Sequence, residues 1–195
     1  MRKLKKLLNI SLALMVTLSM AAIADVKTGE AAPDFAVKGL DGKTVQLKSL
    51  QGKPVVLEWI NPECPFVRKQ YDSGKMQALQ KKYGKNVTWV TIASSAQGKQ
   101  GYHTNAEWKE IVKKEKAAPA YLVLDTDGKI GKTYGAKTTP HMFVIDKTGK
   151  VVYQGAIDDQ KDTNYVDAAL TSLATGTKIA VTTTKSYGCG VKYAE

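Results

Sequence analysis

Val55-Val56-Leu57-Glu58-Trp59-Ile60-Asn61-Pro62-Glu63-Cys64-Pro65-Phe66-Val67-Arg68 runs from an apolar strand pattern through a proline turn into a helical one. Residues 55–60 are apolar apart from Glu58, the pattern of a strand buried on both faces. Asn61-Pro62 breaks that strand. Beyond Pro65, Phe66, Val67, Tyr71, Met76, Leu79 and Tyr83 fall near helical spacing, and Gly74 predicts a kink or a division. Cys64 therefore stands at a helix N-terminus. Unpaired backbone N–H groups and the positive end of the helix dipole favour thiolate over thiol there. Thiolate is the reactive form, so Cys64 is a candidate nucleophile. Arg68 lies one turn on, where its cation can approach the sulfur; the other reading is an arginine facing solvent.

Outward from this stretch the pattern alternates strands and helices. Residues 33–37 and 44–47, around Asp41-Gly42, read as an N-terminal hairpin. Residues 87–93 are a β-branched run and read as the next central strand. Asn105 caps a helix to about Lys116, with Trp108, Ile111 and Val112 on one face. Residues 120–124 are a short strand, and 128–134 a short helix or loop. Residues 142–146 and 151–154 flank Lys147-Thr148-Gly149-Lys150, a hairpin signal, and Thr138-Thr139-Pro140-His141 leads into it. His141 reads as packed or surface-exposed rather than catalytic. Residues 164–174 form a helix ended by Gly176. Hairpin, β-α-β-α, hairpin, helix is an α/β order, with a sheet covered on both faces.

The ends of the chain bound its setting. Arg2, Lys3, Lys5 and Lys6, an apolar run from 7 to 20, and Ala22-Ile23-Ala24 read as a secretory signal over residues 1–24. A membrane anchor is the alternative, but a spanning helix needs about 20 apolar residues. Residues 25–195 then form one domain, with an irregular tail from about 177. The formal charge of +11 falls to +7 once those four cations are removed. The lysines are scattered and no arginine–aromatic patch appears, which excludes a nucleic-acid partner in favour of a solvated basic surface. Cys64 and Cys189 are the two cysteines. In an exported protein they are a reactive pair, a structural staple or two inert thiols. With His103 and His141 they complete the soft-ligand inventory, and no pair has ligand spacing, so no metal is expected. No cofactor motif is present. Glycines flank Cys189 on both sides in a polar tail, which reads as a mobile carrier for that thiol.

The element order, the cysteine at the strand-to-helix turn and the proline-led hairpin resemble the thioredoxin superfamily. Ala32-Pro33-Asp34-Phe35, Leu40-Asp41-Gly42-Lys43 and residues 50–57 are similar to its redoxin branch, which holds the alkyl hydroperoxide reductase/thiol-specific antioxidant and TlpA-like proteins. Cys64-Pro65-Phe66-Val67-Arg68 and Gly188-Cys189-Gly190-Val191-Lys192-Tyr193 resemble a peroxiredoxin-like subgroup, with the likeness covering about residues 31–195. It implies a thioredoxin-like fold, a central mixed sheet flanked by helices, with an N-terminal β-hairpin extension. There are departures. Val67 stands where Cys-x-x-Cys proteins have their second thiol. Asn61 and Leu57 stand where peroxiredoxins place a Thr or Ser and a Pro; Asn61 still offers a hydrogen bond. Glu58 lies where thioredoxins carry a buried, proton-relaying acid, its alternative being an edge-of-sheet glutamate in water.

The resemblance implies a thiol-dependent oxidoreductase, exported and most naturally periplasmic. It also implies a cis Thr139–Pro140 bond beside the thiol, with Thr139 and Pro140 pairing with an extended substrate. Cys64 attacks a peroxide or a protein disulfide, Cys189 resolves it, and an external thioredoxin-like dithiol reduces the disulfide. The alternatives are a TlpA-like thiol:disulfide exchanger without peroxidase activity, and a non-catalytic binding module that keeps the fold. No stable membrane insertion is expected after signal cleavage.

Overall fold

The computed structural model describes residues 26–194, so the leader expected over residues 1–24 lies outside the described residues. A hairpin of β1 (Ala36–Lys38) and β2 (Thr44–Gln46) opens the fold, and a 3-10 turn, Leu47–Leu50, follows it. Next come β3 (Val55–Trp59), α1 (Pro65–Asp72), α2 (Lys75–Tyr83), β4 (Thr88–Ala93), α3 (Asn105–Glu115), β5 (Tyr121–Leu124) and α4 (Lys129–Tyr134). Then β6 (Thr138–Thr139), β7 (His141–Ile145), β8 (Val151–Gly155), α5 (Tyr165–Thr175) and β9 (Cys189–Gly190) complete the order.

Among the described residues the central sheet has five strands in the order β5-β4-β3-β7-β8. β3 pairs parallel with β4, and β4 with β5, across helical connections; β7 pairs antiparallel with β3 and β8. The sheet is therefore mixed, with helices around it, as expected. Strand period sorts its side chains into two cores. Val55, Leu57 and Trp59 pack with Phe143, Ile145 and Tyr134 on the face that the N-terminal hairpin and α4 cover. Val56 and Ile60 face Val67, Tyr71, Met76, Trp108 and Leu170, from α1, α2, α3 and α5. Glu58 lies between Val56 and Ile60, on that second face.

Local signals set the helix limits. Gly74, with φ 73°, separates α1 from α2, which is the division the sequence predicts. Thr104, not Asn105, caps α3: its side chain accepts from Glu107 N while Glu107 reaches back to Thr104 N, a reciprocal cap that satisfies two free N–H groups. Asn164 caps α5 by accepting from Asp167 N. None of the described helices is long and apolar enough to cross a membrane.

The tail differs from its sequence reading as an irregular, mobile segment. It is laid across one end of the sheet. Thr184 N donates to Gln154 O at 3.0 Å on the β8 edge, β9 pairs antiparallel with β6, and Ala96 N donates to Lys192 O at 2.8 Å. Hydrophobic periodicity misses this because the tail contributes backbone pairs rather than an apolar face.

Candidate functional site

Cys64 is the N-cap of α1, Pro65 is its first residue, and Arg68 N donates to Cys64 O at 2.8 Å. The sulfur has no solvent exposure. The Thr139–Pro140 bond is cis, and Cys64 Sγ donates to the Thr139 carbonyl oxygen at 3.0 Å. Thr139 is paired with Cys189 across β6 and β9, which brings Cys189 over Cys64, and the two thiols are hydrogen-bonded neighbours. Both are free thiols in this structure, Cys64 buried and Cys189 half-buried. Gly188 allows the close approach. Its φ is +130°, and a Cβ there would lie 2.1 Å from the Thr139 carbonyl oxygen.

The two thiols differ electrostatically. Burial pushes the Cys64 thiol up. Hydrogen bonds to its sulfur from the Cys189 and Thr139 side chains and from the Val67 and Cys189 backbones outweigh that, and the thiol lies below its ordinary range. The Val67 N–H is one of the unpaired groups of the helix's first turn. Cys189 moves the other way, pushed up to about 11 by burial and then by its hydrogen bond to Cys64 and that sulfur's charge. The structure thus makes Cys64 the more acidic thiol of the two and Cys189 the less acidic.

Arg68 is corrected by the structure. Its guanidinium is partly exposed and is held by carboxylates. It makes a two-pronged pair with Glu115, each N···O distance 2.8 Å, and also reaches Asp72. Two carboxylates outcompete one sulfur for the cation. Asn61 likewise turns to the loop: its Oδ1 accepts from Glu63 N at 2.9 Å and its Nδ2 donates to Gln100 O at 3.2 Å. Its amide is therefore committed away from the thiol.

Glu58 is fully buried in the central strand β3 rather than at a wet sheet edge. Its Oε1 accepts from Tyr71 OH at 2.9 Å, and its Oε2 from Trp89 Nε1 at 2.7 Å and Thr91 Oγ1 at 3.1 Å. Gln80 Nε2 adds a longer contact of 3.4 Å. Burial raises the Glu58 carboxyl above its ordinary range despite these donors. His141 is packed: its Nδ1 accepts from Lys137 N at 3.2 Å and its ring lies 4.8 Å from that of Phe143.

Sequence reasoning missed the partners that complete the site. Tyr71 reads as a core residue of the helix pattern, and Trp89 and Thr91 as plain strand residues. The available signal was register: Thr91 sits directly opposite Glu58 once β3 and β4 pair in parallel. Asp158 gave no signal. It is buried after β8, where its carboxylate accepts from Gln70 Nε2 at 2.8 Å and from Tyr187 OH in the tail. Among the described residues no three His, Cys, Asp or Glu side chains are grouped to hold a metal ion.

Comparison with known proteins adds an independent line. The profile of the Redoxin family matches residues 27–170, ending before the tail that carries Cys189. Thiol-disulfide oxidoreductase ResA of Bacillus anthracis is 32% identical over 158 residues, spanning 76% of this chain and 82% of that protein. The crystal structure of an uncharacterized conserved protein from Geobacillus kaustophilus is similar, with a TM-score of 0.77 and 26% identity over 86% of this chain and 93% of that one. So is the exposed lipoprotein thioredoxin Etrx1 of Streptococcus pneumoniae, with a TM-score of 0.55 and 26% identity over 73% of this chain and 99% of that one.

Proposed function

The chain belongs to the redoxin family of thioredoxin-fold proteins and is a thiol–disulfide oxidoreductase; on that premise we propose that Cys64 and Cys189 are its exchange pair. The observation that carries this reading is the meeting of the two thiols across β6 and β9. Val67 leaves no second thiol on α1, and the tail supplies one from 125 positions further along the chain. Cys64 is the nucleophile, its thiolate held by the first turn of α1 and by the Cys189 backbone. Cys189 is the resolving thiol that completes the disulfide. Glu58, buried on the same face of the sheet, exchanges protons with the site through Tyr71. Thr139 and Pro140 form the edge against which an extended chain pairs, and in this structure the tail takes that edge. Arg68 and Asn61 act on loop and helix positions rather than on sulfur.

The substrate class is a protein disulfide or dithiol, and a thioredoxin-like dithiol reduces the oxidised pair. We read residues 1–24 as an export leader and 25–195 as one domain, and so infer an exported protein, in the periplasm, where a Cys64–Cys189 disulfide would persist. The exposed setting of the Streptococcus pneumoniae lipoprotein supports export.

Peroxide is the second reading, because a small oxidant needs no docking edge to reach a thiolate. The commitment of the Asn61 amide to Gln100 O and Glu63 N weighs against it. Stopped-flow oxidation of the reduced protein separates the two. The expected result is oxidation to a Cys64–Cys189 disulfide faster with a protein disulfide than with hydrogen peroxide, and loss of turnover in Cys64→Ser and Cys189→Ser. Full turnover in Cys189→Ser excludes the pair. Failure of both oxidants to react with Cys64 leaves a binding module.

A further inference from the structure

The two sulfurs of the pair are unequally placed, and the difference bears on which of them a protein partner meets. Cys64 belongs to the apolar core beneath the sheet's end, fully out of solvent, whereas Cys189 packs on that core from outside and is half-buried. The strap that carries Cys189 is fixed on both sides of it. Before it, Tyr187 OH donates to Asp158 and the Tyr187 ring meets Phe66 at 5.7 Å. After it, Val191 N donates to Lys137 O at 3.1 Å. Tyr193 OH donates to Ala136 O at 2.7 Å, its ring seated where Cβ atoms on Gly128 and Gly131 would collide with it.

Thiol–disulfide exchange runs in line: the attacking, central and leaving sulfurs are nearly collinear. Attack on Cys64 of a Cys64–Cys189 disulfide has to come from the side opposite Cys189, and Cys64 is fully buried among core side chains. Attack on Cys189 comes from the side opposite Cys64, and Cys189 keeps part of its surface in solvent. Resting on the exchange pair proposed above, we propose that a protein dithiol joins the oxidised centre at Cys189, not at Cys64, and that Cys64 is the leaving thiolate.

The step balances. A partner thiolate attacks Cys189 Sγ; the Cys64–Cys189 bond breaks, a partner–Cys189 disulfide forms, and the electron pair leaves on Cys64 Sγ. The partner's second thiol gives its proton to water and attacks the partner's own sulfur. That closes the partner disulfide and releases Cys189 as a thiolate, which takes up a proton. Two electrons pass from the partner to the pair. The low-lying Cys64 thiol makes its sulfur the better leaving group, which acts in the same direction as access. Cys64 stays the nucleophile toward an oxidising substrate, and the half-buried Cys189 is the sulfur that the reducing dithiol meets.

The test uses the oxidised mature chain and an excess of a thioredoxin whose second active-site cysteine is serine. Acid quench in the first seconds and peptide mass spectrometry locate the mixed disulfide. The expected result is partner on Cys189 over Cys64 by roughly tenfold or more, with the bias largely lost when the oxidised chain is first unfolded in urea. Partner mainly on Cys64 overturns this assignment while leaving the exchange pair intact. A Cys64–Cys189 disulfide that persists, with no mixed disulfide on either sulfur, overturns the exchange pair itself.

Discussion

The sheet that positions Cys64 and the strap that positions Cys189 hold their thiols by different physics. Every residue of β3 and β7 is buried, and their side chains fill two cores. No residue from 177 to 194 is buried. The strap is held by backbone pairs, two tyrosine hydroxyls and glycine notches. Elements with few buried apolar contacts open locally, at free energies well under that of global unfolding, while core strands open only with the whole domain. Cys64 is thus fixed to the most stable part of the molecule and Cys189 to the least. A disulfide between them joins a rigid socket to a releasable cover.

The largest test of that contrast is in the sheet. Phe143 is fully buried, with ring centroids 5.3 Å from Trp59 and 5.3 Å from Tyr134. Phe143→Ala should lower the free energy of unfolding by about 3–5 kcal/mol, read by urea denaturation with tryptophan fluorescence. A loss under about 1 kcal/mol would mean that the sheet is not the unit that sets global stability.

Glu58→Gln probes the carboxyl that β3 buries. An amide keeps an acceptor for Trp89 and Thr91 and turns a donor toward Tyr71, so it mimics the protonated acid. Because burial raises the folded pKa of Glu58 above the unfolded one, the stability it contributes is fully present below the unfolded value and is lost as pH rises through the folded value. The stability difference should therefore open in favour of Glu58→Gln as pH rises above the unfolded carboxyl's value of about 4, in urea titrations at several pH values. Exchange should slow by roughly two orders of magnitude if the carboxyl moves the thiol's proton. A pH-independent difference would remove the raised acid, and unslowed exchange would remove the relay.

How far the sequence carried these arguments also follows the line between sheet and strap. The strands, the division at Gly74 and the hairpin around Lys147-Thr148-Gly149-Lys150 were legible because apolar periodicity and turn residues encode them locally. Thr104 was missed as the cap because Asn105 beside it is an equally good capping type. The position of Cys64 was legible from the strand, the turn and the helix around it. The ties of Arg68 to Glu115, of Asn61 to Gln100 and of Tyr187 to Asp158 were not, since each spans dozens of positions with no periodic signal. The strap's path was hidden for the same reason.

Gly188→Ala moves the strap without touching the core. Its φ of +130° and the backbone oxygen 2.1 Å from a Cβ leave the strap no way to keep its place beside Thr139. The strap should lift while the sheet stays folded. Cys64, now uncovered, should react with iodoacetamide roughly tenfold faster or more, with the global unfolding free energy lower by about 1 kcal/mol or less. If alkylation of Cys64 stays slow while the sheet loses several kcal/mol, strap and sheet are one cooperative unit and the contrast fails.

Tyr193→Phe should give the smallest effect, and it locates the strap's far anchor. The ring keeps its seat against Gly128 and Gly131, and only the hydroxyl's bond to Ala136 O at 2.7 Å is lost. A neutral hydrogen bond contributes about 0.5–1.5 kcal/mol net, so the local opening equilibrium should rise by about fivefold. That change belongs to the strap alone. Hydrogen exchange should quicken at the two amides beside this anchor, Ala96 N, which donates to Lys192 O, and Val191 N, which donates to Lys137 O. Amides of β3 and β7 should exchange as before, because they open only with the whole domain. The urea midpoint should not move. Equal quickening in the strap and the central strands would mean the hydroxyl contributes to global stability. Unchanged exchange at Ala96 and Val191 would shift the anchoring to the ring in its glycine notch and leave the hydroxyl a bystander.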